Sequence, residues 1–139
     1  MHISMAAVQA AFFLALLCAA SVCDLKCRII PDRLNFAIAA TALLCFSPSN
    51  LWGITVAAPF LLAAVFLGGM GGGDIKLMAA CGLVLGLQRG LLATVVGLSA
   101  LLVFAAAHRI ICKVRGREAE KAFPLAPFLS AGCALAYFV

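Results

Sequence analysis

The chain has only five acidic residues, and two of them stand where an acid is costly. The five are Asp24, Asp32, Asp74, Glu118 and Glu120. Asp24 directly follows a long apolar run, and Asp74 directly precedes another. An acid costs about 2.5–3.5 kcal/mol at the centre of a membrane helix and less near the interface, so both are candidates for acid–base chemistry. Each acid also has a simpler structural explanation. Asp74 would cap the helix that follows it, and Asp24 would be a loop acid paired with Lys26 or Arg28.

Glycines surround the second acid. The six residues before Asp74 are Gly68-Gly69-Met70-Gly71-Gly72-Gly73. A helix cap explains the acid but leaves five glycines unexplained. Glycine permits positive φ angles and lets another chain approach the backbone closely, so we expect one or both here.

The elements that hold these acids must be membrane helices. Of 139 residues, 66% are hydrophobic and 11% are charged, whereas soluble domains have about 25% charged residues. This composition excludes a soluble enzyme, a disordered chain and a nucleic-acid module. It predicts an all-α integral membrane protein, with residues 1–139 as a single domain. The net charge of +5 is explained by basic loops that set the orientation in the membrane, rather than by binding of nucleic acid.

The apolar pattern predicts about six transmembrane helices with short loops. They are residues 3–23, 34–46 (extending to 52), 54–67, 75–87, 91–112 and 123–139. The first is interpreted as a retained span rather than a signal peptide, because no Lys or Arg precedes it. The fourth, before the turn 88–90, is roughly 20 Å long against about 30 Å of hydrocarbon. It is therefore a short span, or the re-entrant first arm of one bent hairpin over 75–112.

Basic residues predict the orientation. Nine of the ten Lys and Arg residues lie in the connections 24–33, 68–76 and 108–121, and only Arg89 lies on the opposite side. Basic loops stay in the cytoplasm, so the N-terminus is predicted outside and all five acids on the cytoplasmic face. Seven cysteines without a C-x-x-C pair, and two separated histidines, predict neither a metal site nor another cofactor.

The motifs resemble a known family. Gly71-Gly72-Gly73-Asp74 is a G-x-G-D motif. Upstream, Asp24 stands six residues before Ile30-Pro31. With the late Pro124–Phe128 stretch, the chain resembles the type IV prepilin peptidases, which are membrane aspartyl proteases of the GxGD type. The resemblance covers essentially the whole chain. It implies an aspartic endopeptidase of the bacterial cytoplasmic membrane, which removes basic leader peptides from prepilins or pseudopilins.

The same resemblance implies the roles of the site residues. Asp24 and Asp74 would share one proton, one activating water and the other polarising the scissile carbonyl. The positive end of the following helix favours the charge on Asp74. Gly71 and Gly73 would let the substrate lie close to the backbone, and Pro31 belongs to the partner motif. Lys76 would orient the site or contact lipid phosphate.

The chain also departs from the larger members of that family. Those carry paired C-x-x-C motifs in a cytoplasmic region linked to N-methylation, whereas this sequence has none. We therefore expect a short, peptidase-only form similar to those of tight-adherence (Flp-type) pilus systems, with no N-methyltransferase activity. Asp32 stands where many relatives have Asn, and is interpreted as a loop or cap residue.

Two other functions remain open at this point. One is a small multi-span transporter, although no acid falls in mid-span. The other is a non-enzymatic pilus or secretion assembly subunit, whose small residues would pack helices but whose two Asp motifs would have no role. The sequence identifies neither the particular pilin nor the oligomeric state. The predicted partners are the prepilin or pseudopilin substrate and the lipid bilayer.

Overall fold

A computed structural model describes residues 4–68, 71–118 and 123–139. Within those ranges the chain is helical and contains no strand, which confirms the predicted all-α fold class. The α-helices are α1 (Met5–Cys27), α2 (Asp32–Thr41), α3 (Ala58–Leu67), α4 (Gly72–Val114) and α5 (Ala126–Phe138). Two 3₁₀ segments join them, Ala42–Cys45 after α2 and Pro48–Ala57 before α3.

Helix α4 reverses direction at Gly86. This residue has φ 80° and ψ 176°, a conformation that favours glycine. Around the reversal, residues 84–89 share a pocket with Gln9 and Tyr137. The two arms then run back together, since Asp74 shares a cavity with Asp24, and His108 in the second arm shares a pocket with Leu25. The hairpin predicted over 75–112 is therefore present, but its turn lies at Gly86 rather than at 88–90.

The helical segments consequently alternate in direction. We call the end of the molecule that carries Asp24 and Asp74 the acid end. Arg28 and Lys76 line the cavity at the acid end, whereas Arg89 lies in the pocket at the opposite end. The structure thus separates these charges along the axis as the sequence predicts.

Some predicted span boundaries are wrong. Helix α1 continues to Cys27, so Asp24 lies inside its last turn and not in a loop. Arg28 ends the helix in a left-handed conformation with φ 53°, and its N–H donates to the Asp24 carbonyl. At the other end of the chain, α5 begins at Ala126 rather than at residue 123.

Fewer than the six predicted spans are single helices of membrane-spanning length in the described residues. In the described part of the chain, Met5–Cys27, Pro48–Leu67 and Gly72–Val114 are long and apolar enough to cross a membrane. Helix α5 is a shorter apolar helix of 13 residues. Large apolar side chains such as Phe66 and Leu67 are more than three-quarters exposed, which suits contact with lipid rather than water.

Close backbone contacts hold the segments together. Gly53 in the second 3₁₀ segment lies directly against Gly82 in the first arm of α4, and a Cβ on either would meet the carbonyl oxygen of the other. Gly132 of α5 packs in the same way against Ala93 and Gly97 in the second arm. Such small-residue interfaces are typical of membrane helices, where close packing replaces the hydrophobic effect.

Candidate active site

Asp24 joins the first helix to the last. Its side chain is 7% exposed, and its Oδ2 accepts a hydrogen bond of 3.1 Å from the N–H of Ala126. Ala126 is the first residue of α5, and Leu125 before it provides no side-chain cap. The Asp24 carboxylate therefore caps α5 from a different helix, where the α5 dipole favours negative charge. No ion pair joins Asp24 to Lys26 or Arg28 in the ranges described, so the loop-acid explanation is wrong.

Asp74 lies in the first turn of α4, but it is not a cap. The N-cap residue is Gly71, and no side chain caps this helix. The Oδ1 atom of Asp74 is buried and has no hydrogen-bond partner among the residues that the structure describes. Buried polar atoms in folded proteins are nearly always paired. The Asp74 Oδ1 atom is therefore available to accept a hydrogen bond from a water molecule or a substrate group.

The two acids meet in one cavity. They lie fifty residues apart in sequence, yet both line the same space of about 290 Å³ and interact electrostatically. Gly71, Gly73 and Lys76 line this cavity too. Pro31 does not line it. It begins α2 as the N-cap residue with φ −62°, so its contribution is to turn the chain.

The two sequence motifs touch through Gly73. A Cβ on Gly73 would come within 3.3 Å of the Ile30 Cβ and 3.5 Å of the Ile30 backbone nitrogen. Positive φ occurs at Gly68, the first glycine of the run, with φ 69°, whereas Gly71 has φ −69° and the next two residues are helical. Close approach is the reason for glycine at position 73. Gly69 and Met70 lie outside the described residues.

We predict that Gly73→Ala lowers activity about tenfold, whereas Gly72→Ala leaves it nearly unchanged. A Cβ at Gly72 meets no described residue within 4 Å, and alanine stabilises a helix by up to about 1 kcal/mol relative to glycine. At Gly73 the same methyl group pushes Ile30 away and displaces the acid-bearing turn. Turnover and thermal unfolding in detergent, measured for both variants, test this. Equal activity of the two variants would contradict it.

Lys76 has a specific partner. Its Nζ donates a hydrogen bond of 2.8 Å to Asp32 Oδ1, and both side chains are 58% exposed. Asp32 is the first residue of α2, where an acid is favourable, rather than a loop or cap residue as expected: the N-cap residue is Pro31, and no side chain caps this helix. An ion pair this exposed contributes about 0–1 kcal/mol. Its main effect is therefore to fix the Lys76 ammonium beside the cavity.

Sequence reasoning missed two groups. The Ala126 N–H is a backbone donor, and the only signal for it is Pro127, which marks the start of a helix. Nothing in the sequence indicated that the side chain of Asn35 is buried. Within the described ranges no cluster of three or more His, Cys, Asp or Glu side chains could hold a metal ion.

Comparison with known proteins identifies the family. The Type IV leader peptidase family matches residues 11–107, a stretch that contains both acids and both motifs. The chain belongs to this family. A leader peptidase from Bacillus subtilis (strain 168), the prepilin leader peptidase/N-methyltransferase, is 36% identical over 148 aligned residues. That alignment covers 97% of this chain but 57% of the relative, so the chain spans little more than half of that leader peptidase. No solved structure matches the chain significantly.

Proposed function

We propose that the chain is a membrane-embedded aspartyl endopeptidase that removes the basic leader from type IV prepilins or pseudopilins. The observation that carries the proposal is the shared cavity of Asp24 and Asp74 at the ends of two apolar helices. Family membership supports the peptidase activity. Two carboxyl groups that share a site can hold one proton between them, as acid–base hydrolysis of an amide requires.

The hydrogen bonds support different roles for the two acids in the proposed mechanism. Asp24 accepts the Ala126 N–H at the positive end of α5, which stabilises its charged form. Asp74 has a buried oxygen without a partner, which suits the neutral form. This reverses the assignment that the α4 N-terminus alone predicts. In the proposed mechanism Asp24 takes a proton from the attacking water, and Asp74 polarises the scissile carbonyl and later protonates the leaving amine.

The acid end is proposed to face the cytoplasm of a bacterial cell. Arg28 and Lys76 line the cavity there, and basic residues are retained on the cytoplasmic side. The substrate's leader would then stay in the cytoplasm while its apolar helix lies in the bilayer. The site would meet the peptide bond between them at the membrane interface.

Single-cysteine variants test this orientation. Cys27 is exposed beside the acid end, and Cys45 lines the pocket at the opposite end. We expect a membrane-impermeant thiol reagent applied to intact cells to label a variant that keeps only Cys45. A variant that keeps only Cys27 should be labelled only after permeabilisation. The opposite pattern would overturn the orientation.

Methylation is not part of the proposal. The Bacillus subtilis relative is named for both activities, but the present sequence has no C-x-x-C pair. The peptidase activity is tested by co-expression with a panel of pilin precursors, each carrying a basic leader and an apolar helix. Loss of the leader on a gel supports the proposal. If no precursor of the panel is shortened while the protein is inserted and folded, the proposal fails.

A further inference from the structure

A second cavity of about 310 Å³ lies beside the two acids. It is formed by α2, the first arm of α4 and one residue of the second 3₁₀ segment, and we call it the α2–α4 groove. Its walls are almost wholly apolar and are made by Phe36, Ala39, Ile54, Ala79, Ala80 and Leu83. Three of these residues are alanines, which allow a helix to approach closely.

The groove adjoins the cavity that contains Asp24 and Asp74. Asp32 and Lys76 line both spaces, and the 2.8 Å bond between them forms the boundary. A chain that passes this ion pair therefore has carboxyl groups on one side and an apolar surface on the other.

Besides the Asp32–Lys76 ion pair at its boundary, the groove is lined by one uncharged polar side chain, that of Asn35. Asn35 lines it and is only 6% exposed, yet neither its Nδ2 nor its Oδ1 has a hydrogen-bond partner in residues 4–68, 71–118 and 123–139. A buried carboxamide with both ends unpaired is costly and calls for an explanation. A partner that arrives with its own backbone donors and acceptors would satisfy it.

We propose that the α2–α4 groove holds the apolar helix that follows the cleavage site, and that Asn35 hydrogen-bonds the first turn of that helix. The inference rests on the proposed function. A peptide bond must be extended to be cleaved, so the substrate helix begins just beyond the acids. The first four N–H groups of any helix lack internal partners. Asn35 Oδ1 provides an acceptor for one of them, whereas a lipid acyl chain in the groove would leave Asn35 unpaired.

Filling the groove tests the occupant. Ala79→Phe should raise KM for a precursor of the panel at least tenfold while kcat changes less than twofold. The matched control is Ala134→Phe, since Ala134 lines an apolar pocket of about 340 Å³ between α1 and α5 that contains neither catalytic acid. The control should keep the wild-type KM. An unchanged KM in Ala79→Phe would overturn the groove assignment.

Replacing Asn35 tests its positioning role. Asn35→Leu should lower kcat/KM about tenfold while thermal unfolding in detergent occurs at the same or a higher temperature, because a buried unpaired amide is removed. A residue that merely supports the fold would lose stability and activity together. That result, or unchanged kcat/KM, would overturn the role of Asn35.

Photocrosslinking separates the two proposals. Benzoylphenylalanine at position 36, in an Asp74→Asn background, should crosslink to the precursor just after its cleavage site. The same group at position 12, on the exposed side of α1, should not. Crosslinks from position 36 to lipid alone would overturn the groove assignment while wild-type cleavage leaves the peptidase proposal standing. If wild type cleaves no precursor, both proposals fail.

Discussion

Asp24→Asn and Asp74→Asn should each reduce precursor cleavage by a factor of about 10²–10⁴, the range expected for loss of one acid–base group. In Asp24→Asn the proposed base that activates water is lost. In Asp74→Asn the proposed proton donor to the scissile carbonyl and leaving amine is lost. The measurement is initial cleavage rate with purified enzyme in detergent, using a precursor that the wild type processes. Normal cleavage by both variants would show that the dyad assignment is wrong.

Stability distinguishes a chemical effect from misfolding in these variants. The amide oxygen of Asn at position 24 can still accept the Ala126 N–H, so Asp24→Asn should remain folded. Asp24→Ala removes that acceptor and should lower the free energy of unfolding by about 1 kcal/mol, the usual effect of losing a helix cap. Asp74→Asn should unfold like wild type, since an amide has nearly the shape of a protonated carboxyl group.

Gly82→Ala should prevent accumulation of folded enzyme. The new Cβ would collide with the carbonyl oxygen of Gly53, a backbone atom that cannot turn away as a side chain can. The first arm of α4 and the second 3₁₀ segment would have to separate, and this should cost about 3 kcal/mol or more, the upper end for overpacked cores. The amount of protein in membranes and its unfolding temperature in detergent report the effect.

Gly72→Ala is the matched control for that substitution, because it adds the same methyl group in the same helix at a position where no atom of the described residues lies within 4 Å. It should accumulate like wild type. Gly53→Ala should fail in the same way as Gly82→Ala, since the contact is reciprocal. A folded, active Gly82→Ala enzyme would show that the two segments do not pack as described.

Asp24 and Asp74 could be singled out from the sequence as candidate catalytic acids because their motifs are local. Asp74 stands at the end of a glycine run, and Asp24 precedes Ile30-Pro31, so residue type and spacing are enough to single them out. The all-α fold followed from composition in the same way. That both acids line one cavity agrees with the prediction drawn from charge distribution and family resemblance.

Other features depend on contacts between distant segments, which residue spacing does not encode. The last turn of α1 extends past Asp24, and the Asp24 carboxylate accepts a hydrogen bond from α5, 102 residues away in sequence. Gly73 was expected to let the substrate lie close to the backbone, whereas in the structure it is helical and the residue packed against it is Ile30. The turn was expected at 88–90 because polar residues gather there, whereas the backbone reverses at Gly86, beside Asn50.

The hydrogen bond between Asp24 and Ala126 also bears on biosynthesis. During translation, α1 enters the membrane long before residue 126 leaves the ribosome, and Asp24 then lacks its native donor. The proposed base acquires its final environment only when the last helix docks. A nascent or truncated chain that ends before α5 therefore carries both acids without the Ala126 donor, so we expect the proposed peptidase activity to appear only after α5 has docked.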